Sequence, residues 1–174
     1  MAKPMLIVLG GLPGIGKTTI ARALAAGFLR AYLRIDTIEQ ALIRSRALDE
    51  PGPAGYAVAC ELARSNLALG MSVIADCVNP LPVTREAWRA VAADTSSGLL
   101  ELEIVCSDPA AHRRRVEGRK ADIPGHVPPT WEAVARHEYA AWTTSRLVID
   151  SAFVSTSEAA TLILERLRSE AAGE

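Results

Sequence analysis

The stretch Gly11-Leu12-Pro13-Gly14-Ile15-Gly16-Lys17-Thr18 decides the fold of this chain. It fits the pattern G-x-x-x-x-G-K-S/T of a phosphate-binding loop (P-loop) at every fixed position. The apolar run Met5–Leu9 before it is typical of a buried parallel strand. The segment after it has a helix-forming composition, with apolar residues at helical spacing, at Ile20, Ala23, Leu24 and Phe28. A strand, a glycine turn and a helix in this order are the context that the motif requires.

The chemistry of this loop follows from its backbone. Glycines adopt conformations that are closed to other residues and leave room for an anion. Successive N–H groups can then point inward at the positive end of the following helix. Lys17 is expected to reach the β- and γ-phosphates, and the Thr18 hydroxyl to hold Mg²⁺. We therefore predict a nucleoside triphosphate site and favour it over a glycine turn that binds nothing. Its residues are Gly11, Pro13, Gly14, Ile15, Gly16, Lys17, Thr18 and Thr19.

The composition limits the possible partners. The chain has 174 residues, which suits a single domain over 1–174, and 49% of them are hydrophobic, which argues against disorder. Nineteen basic and twenty acidic residues leave a formal charge of −1, so no global attraction to nucleic acid or to an anionic membrane is expected. No apolar run approaches the length of a membrane span. The N-terminus runs straight into the first strand, which argues against a signal peptide.

The cysteines and histidines give no metal signature. Three cysteines, Cys60, Cys77 and Cys106, lie far apart in apolar runs and are interpreted as buried free thiols in a reducing cytoplasm. The three histidines, His112, His126 and His137, do not have the spacing of a zinc site.

The rest of the chain alternates between strand and helix patterns. The predicted strands are Met5–Leu9, Ala31–Ile35, Ser72–Ala75, Leu99–Val105 and Leu147–Ile149. Predicted helices follow the P-loop, then cover Thr37–Ser45, Tyr56–Leu69 and Val83–Ala93, start at Asp108-Pro109 and run into 113–120, run from Thr130 through Trp142, and start at the capping box Ser155–Glu158. This alternation predicts an α/β fold, a five-stranded parallel sheet with helices on both faces. Ligands of such sheets bind at the carboxyl ends of the strands.

Two acids stand at those ends. Asp76 follows the third strand, where a carboxylate supports Mg²⁺, although a strand-end aspartate can also simply cap a turn. Asp36 follows the second strand, where it can accept the proton of an acceptor hydroxyl as a general base. Asp36 could also cap the following helix, and the two roles are compatible.

A basic segment follows the fourth strand. Residues 112–120 contain five Lys or Arg and one Glu. Arg115 and Arg119 are four positions apart, which predicts that they share a helical face. Guanidinium groups suit phosphate oxygens and can stabilise a transferred phosphoryl group. The alternative is a solvated helix end whose basic charge the helix dipole favours.

These pieces together resemble a known group. The sequence G-L-P-G-I-G-K-T-T, then I-D at the second strand end, V-I-A-D at the third and R-x-x-x-R before a loop is similar to small P-loop kinases of the zeta-toxin, polynucleotide-kinase and chloramphenicol-phosphotransferase type. Such proteins are often labelled adenylylsulfate-kinase-like or AAA-type ATPases. The resemblance covers Leu6 to about Asp150. It implies a three-layer P-loop NTPase fold, ATP and Mg²⁺ as cofactors, Asp36 as general base, Arg85 on the acceptor side, and a lid at about 112–129 that carries Arg115 and Arg119.

Some features depart from members of this group. Polynucleotide kinases place an arginine three residues after the base, where this chain has Glu39, which argues against a phosphorylated nucleic-acid end as acceptor. The guanine motif N-K-x-D or T-K-x-D is absent, which argues against a regulatory GTPase. Region 34–56 is too acidic and apolar for the pocket of a dedicated adenylylsulfate kinase.

The acceptor pocket is the last prediction. Its expected polar residues are Glu39, Tyr56, Asn79 and Arg85, which suit a neutral or cationic hydroxyl compound. The leading hypothesis is a cytoplasmic ATP-dependent kinase that acts on a hydroxyl of a small molecule, with neither nucleic acid nor membrane as partner. The alternatives are a non-catalytic nucleotide-binding module and a nucleic-acid 5′-hydroxyl kinase.

Overall fold

A computed structural model describes residues 3–27 and 30–172, so Phe28 lies outside the described residues. In chain order the elements are β1 Met5–Gly10, α1 Lys17–Ala26, β2 Ala31–Arg34, α2 Ile35–Arg44, α3 Ala54–Ala68, β3 Val73–Asp76, α4 Pro82–Asp94, β4 Gly98–Val105, α5 Pro109–Glu117, α6 Trp131–Ala135, β5 Leu147–Asp150 and α7 Thr156–Ala172. The described strands form a five-stranded sheet in the order β2-β3-β1-β4-β5, and every neighbouring pair is parallel. The predicted fold class is confirmed.

The core has one layer on each face of the sheet. Because side chains alternate along a strand, Ile7 and Leu9 of β1 pack towards α1 and α7, and Leu6 and Val8 pack towards α3 and α4. All four are 0% exposed. A central parallel strand that is covered on both faces must be apolar at every position, and this explains the unbroken run before the P-loop.

The structure also gives the burial of the three cysteines and the length and polarity of the helices. Of the predicted buried free thiols, Cys60 and Cys77 are buried and Cys106 is half-buried, and all three are free. Within the described ranges, no helix is both long enough and apolar enough to cross a bilayer.

Two element boundaries differ from the prediction and change the site. Strand β2 ends at Arg34, so Asp36 lies in the first turn of α2 and not at a strand end. A carboxylate in a first turn is stabilised by the helix dipole, and Ile35 is buried as the first helical residue. Helix α5 ends at Glu117, because Gly118 is a weak helix former. The prediction that Arg115 and Arg119 share a helical face is therefore wrong.

The helix predicted from Thr130 through Trp142 is also too long. The Thr130 hydroxyl accepts a hydrogen bond from the Ala133 N–H as predicted for a cap, but α6 ends at Ala135. The following chain is irregular and is held by α4. Arg85 donates from Nη2 to the Ala140 carbonyl (2.6 Å) and from Nη1 to the Ala141 carbonyl (3.1 Å). These long-range bonds replace the bonds that a continued helix would make.

Arg85 is therefore part of the scaffold. It is 2% exposed and also donates to the backbone carbonyls of Asn79 and Pro80, both at 3.1 Å. Its guanidinium carbon lies 4.1 Å from the centre of the Trp142 ring. The donors of Arg85 are committed to backbone carbonyl groups, and the position on the acceptor side that the resemblance implies for it stays a prediction.

We expect the substitution Arg85→Met to lower the free energy of unfolding by about 3 kcal/mol, because it leaves several buried carbonyl groups without donors. Urea denaturation measures this change. The control Glu86→Gln alters an exposed residue of the same helix and should change stability by less than about 0.5 kcal/mol. Unchanged stability with a selectively raised acceptor KM would instead restore Arg85 to the acceptor site.

Candidate active site

The P-loop has the backbone that its glycines predict. Gly11, Gly14 and Gly16 have φ angles of 132°, 83° and 102°, in the region that favours glycine. A Cβ atom on Gly11 would collide with the Ile104 carbonyl oxygen, and one on Gly14 would lie 2.5 Å from Cγ2 of Val116 in α5. The loop therefore needs glycine both for its φ angles and for close packing against β4 and α5.

Lys17 is the first residue of α1 and is only 7% exposed. Its Nζ donates to the Leu12 carbonyl at 2.8 Å, within its own loop. Burial lowers the pKa of Lys17, and the charges of Asp76 and Asp36 oppose this effect. A buried ammonium group close to these two carboxylates is placed to receive a phosphate at the start of the helix.

A cleft of about 980 Å³ lies at the carboxyl ends of the strands. Seven lysines and arginines and three aspartates line it, although the chain as a whole is nearly neutral. The charged residues are Lys17, Arg22, Arg34, Arg114, Arg115, Arg119, Lys120, Asp36, Asp76 and Asp122. The cleft brings together the predicted residues Pro13–Thr19, Asp36, Asp76, Arg115 and Arg119.

Asp76 ends β3 beside the P-loop and is 3% exposed. The Tyr32 hydroxyl donates to Asp76 Oδ2 at 2.8 Å, and Arg34 Nε lies 3.9 Å from the same oxygen. Burial, together with this carboxylate, raises the pKa of Tyr32, so the phenol remains a donor.

Asp76 and Thr18 both line the cleft and offer oxygen ligands, the kind that Mg²⁺ prefers. Among the described residues no group of three or more His, Cys, Asp or Glu could hold a metal ion. A nucleotide-bound Mg²⁺ needs only one or two carboxylates beside the phosphates.

Asp36 faces the cleft from the first turn of α2 and is held by two arginines. Arg34 Nη2 lies 3.4 Å and Arg119 Nη2 3.9 Å from Asp36 Oδ2. Arg34 belongs to the sheet, whereas Arg119 belongs to the predicted lid segment. The predicted base and one predicted lid arginine are thus brought together.

The other lid arginine lies elsewhere. Arg115 donates from Nη1 to the Ser151 hydroxyl and from Nη2 to the Ser151 carbonyl, both at 2.9 Å. Ser151 follows β5, at the rim of the cleft. Within the same cleft, Arg115 therefore contacts Ser151, whereas Arg119 contacts Asp36.

Sequence reasoning missed three charged residues that meet in the cleft, Arg22, Arg34 and Asp122. The Arg34 side chain is 3% exposed, and its Nη1 donates to Asp122 Oδ2 at 2.7 Å. Arg22 Nη2 approaches the same oxygen at 2.6 Å. The hydrogen bond from Arg34 is the main reason that the pKa of Asp122 falls well below its usual range, and Arg22 adds to the effect. An arginine at the end of a predicted strand, two positions before a candidate base, was a usable signal, but Asp122 lies in an irregular segment without a pattern.

Three of the four predicted acceptor residues lie near the cleft without lining it. Glu39 packs against Gly55 in the first turn of α3. The Tyr56 hydroxyl accepts from the Asn79 N–H at 2.8 Å. Asn79 is 0% exposed, and its side-chain amide has no hydrogen-bond partner among the described residues. With Arg85, all four stand outside the lining of the described cleft, so the prediction of a neutral or cationic acceptor loses its structural basis.

Comparison with known proteins gives the family. A family model described as an AAA domain matches residues 6–137. The chain belongs to this AAA domain family. No curated protein sequence matches it. The resemblance to small P-loop kinases is therefore confirmed at the level of family and fold.

Solved structures similar to this AAA domain chain share its whole fold. A Chloroflexus aurantiacus protein, provisionally classed as a kinase, has a TM-score of 0.77 at 20% identity, with 97% of this chain and 98% of that chain covered. The Mycobacterium tuberculosis APS kinase CysC in complex with AMPPNP and APS has a TM-score of 0.70 at 20% identity, with 97% and 99% covered. A gluconokinase from Sinorhizobium meliloti has a TM-score of 0.67 at 18% identity, with 99% and 97% covered.

We expect Lys17→Met to lower the affinity of the AAA domain for a nucleoside triphosphate by about 100-fold, because one charge-assisted contact to phosphate is lost. Methionine keeps the buried stem, so the fold should persist. Calorimetric titration with Mg·ATP measures the affinity. Lys120→Met, at another lysine of the cleft, is the matched control, and an equal loss in both variants would contradict the assignment of the P-loop.

Glu39 makes stability depend on pH. Burial, and secondarily Asp36, raises the pKa of Glu39 from 4.5 to about 7. The folded state therefore holds this proton more tightly, so its contribution is full below about pH 4.5 and is lost as pH rises through 7. Glu39→Gln should remove that loss and be about 1 kcal/mol more stable than wild type at pH 8, with no gain at pH 4.5. Denaturation at several pH values tests this, with the exposed Glu138→Gln as control. Parallel pH profiles for wild type and Glu39→Gln would contradict it.

Proposed function

We propose that this chain is an ATP-dependent phosphotransferase that moves the γ-phosphate to a hydroxyl group of a small molecule. The observation that carries this proposal is the position of Asp36. Its carboxylate shares one cleft with the P-loop and Asp76, and arginines from both the sheet and the lid hold it. A nucleotide-binding module without an acceptor has no use for such a base.

The residues of the cleft have distinct roles in this reaction. The P-loop N–H groups and Lys17 bind the triphosphate, and Thr18 and Asp76 hold Mg²⁺. When bound, Mg²⁺ neutralises charge on the phosphates. Asp36 accepts the proton of the acceptor hydroxyl as that oxygen bonds to the γ-phosphorus and the bond from the γ-phosphorus to the bridging oxygen breaks, which releases ADP. Arg119 stabilises the charge on the phosphoryl group in transfer.

The position of Arg115 suggests a role in binding the nucleotide. Its guanidinium lies at the rim with Ser151 and does not approach Asp36 in this structure, so we assign it to the nucleotide side of the cleft. Arg119 keeps the role at the transferred phosphate. The lid, at about 112–129, therefore contributes one arginine to nucleotide binding and one to the phosphoryl group in transfer.

Several observations favour a small acceptor. The similar structures include a gluconokinase and an APS kinase bound to AMPPNP and APS. His126 and Pro129 of the lid segment enclose the cleft, together with His137. The free thiols fit a reducing cytoplasm.

A screen with labelled ATP against pooled hydroxyl metabolites, antibiotics and 5′-hydroxyl oligonucleotides tests the proposal. Label in an oligonucleotide would favour the nucleic-acid alternative, and label only in free phosphate would favour the ATPase module.

Asp36→Asn and Asp76→Asn should separate proton transfer from metal binding. Asp36→Asn should lower kcat for transfer by about 100- to 10,000-fold and leave ATP affinity within about threefold, because only the base is lost. Asp76→Asn should raise the Mg²⁺ concentration that supports half-maximal turnover. Asp94→Asn, at an exposed position of α4, is the control. Equal loss of nucleotide binding in both variants would show that the two roles are not divided in this way.

A further inference from the structure

Arg34 lies between three carboxylates that come from three different parts of the chain. Its guanidinium is 2.7 Å from Asp122 of the lid segment, 3.4 Å from Asp36 of α2 and 3.9 Å from Asp76 of β3. The shortest of these contacts is the one to the lid. Arg34 belongs to none of the roles assigned above, since the P-loop, the metal residues and the base are all supplied by others.

The burial of Arg34 makes the lid contact important. Its side chain is 3% exposed, and its Nε has no hydrogen-bond partner among the described residues. Burial alone would lower the pKa of Arg34, but the hydrogen bond to Asp122 and the charges of Asp36 and Asp76 more than compensate and raise it. When Asp122 moves away, a buried guanidinium keeps only its two longer contacts. Undocking the lid therefore removes the shortest ion pair of Arg34, the same arginine that contacts Asp36.

A second lid contact falls on the same helix as Asp36. A Cβ atom on Gly125 would lie 3.0 Å from Nε2 of Gln40, which is one turn after Asp36 in α2. Ile123, between the two contact points of the lid, is 8% exposed. The docked lid thus contacts Gln40, which follows Asp36 in the sequence, and Arg34, which precedes it.

We infer that Asp122 is the latch of the lid and that Arg34 is a positioning residue, which converts docking of the lid into a fixed orientation of Asp36. The planar fork of arginine suits this role because it can contact several carboxylates at once, which a lysine cannot. Arg22 shares Asp122 but is the minor partner, because its side chain is 55% exposed. The role of Arg34 rests on the proposed function of Asp36 as base, whereas the latch does not depend on it.

Hydrogen exchange on the nucleotide-free protein tests the latch without any turnover. In Asp122→Asn, which keeps the size of the side chain, amides of residues 119–127 should exchange about 10- to 100-fold faster, the factor expected when charge-assisted hydrogen bonds are lost. Amides 39–42 of α2 should also exchange faster, because an undocked lid no longer packs against Gln40 and Arg34 no longer holds Asp36 at the start of the helix. Arg22→Gln should change the exchange rates of residues 119–127 by about threefold or less.

The matched control for exchange is Arg113→Gln. Arg113 pairs with Glu117 at 2.7 Å on the exposed side of α5, in the part of the lid segment that precedes residues 119–127 and outside the cleft lining. It should leave exchange of residues 119–127 unchanged. Unchanged lid exchange in Asp122→Asn, or an effect of Arg113→Gln as large as that of Asp122→Asn, would overturn the latch.

Turnover tests the positioning role. Arg34→Lys should lower kcat for transfer by about 10- to 100-fold with KM for ATP within about threefold, and Arg34→Gln should lower kcat further. Asp122→Asn should raise acceptor-independent ATP hydrolysis relative to transfer, because an undocked lid admits water. Nucleotide titration counts the folded sites. A lower melting temperature with unchanged kcat per site in Arg34→Lys would overturn the positioning role. If the wild type phosphorylates no acceptor, the proposed function fails, and the exchange of residues 119–127 and 39–42 still decides the latch and its link to α2.

Discussion

The burial of the Lys17 ammonium group is the constraint on which the rest of the site depends. A buried cation costs several kcal/mol unless opposite charges and hydrogen bonds compensate for it. Lys17 has the Leu12 carbonyl of its own loop at 2.8 Å and the charges of Asp76 and Asp36 nearby. The sheet supplies one of these charges directly, because β1 and β3 pair in a register that places Leu9 opposite Asp76. The parallel pairing of β1 with β3 therefore also places a carboxylate that compensates for the charge of Lys17.

The same loop also contacts α5, the helix that leads into the predicted lid segment. Helix α5 contacts the P-loop through Val116, which packs against Gly14, and through His112 Nε2, which lies 2.8 Å from the Pro13 carbonyl oxygen. His112 is 6% exposed and meets the edge of Trp131 in α6. A change in the backbone of the loop therefore reaches α5 directly, and α5 leads into the segment that contains Arg119 and Asp122. The loop, the lid and the acids of the cleft form a continuous set of contacts.

Local patterns in the sequence were enough to predict the elements that position the P-loop. The strand before it, its glycines and the helix after it are recognisable without distant partners, and so are the strands that end at Asp76 and Asp150. Long-range partners explain the errors. The segment after Ala135 leaves the helix because its carbonyl groups bond to Arg85, and no periodicity reports that bond. Arg34 and Asp122 are 88 positions apart, so their pairing could not be read from spacing. The structural position of Asp36 was predicted wrongly, since its helix begins two residues earlier than expected, and its role as a base stays a proposal.

These differences lie in the part of the cleft where an acceptor would bind. The P-loop side is formed by β1 and α1, whose patterns are strong, and it serves a triphosphate whose shape does not vary. The wall away from the P-loop includes His126, Pro129 and His137, which come from irregular segments around α6. Such segments tolerate changes that a buried strand cannot, so one scaffold can present different walls to different acceptors. Under the proposed function, we expect acceptor specificity to be carried by the segments with the weakest sequence patterns, because those segments have no periodic structure to maintain.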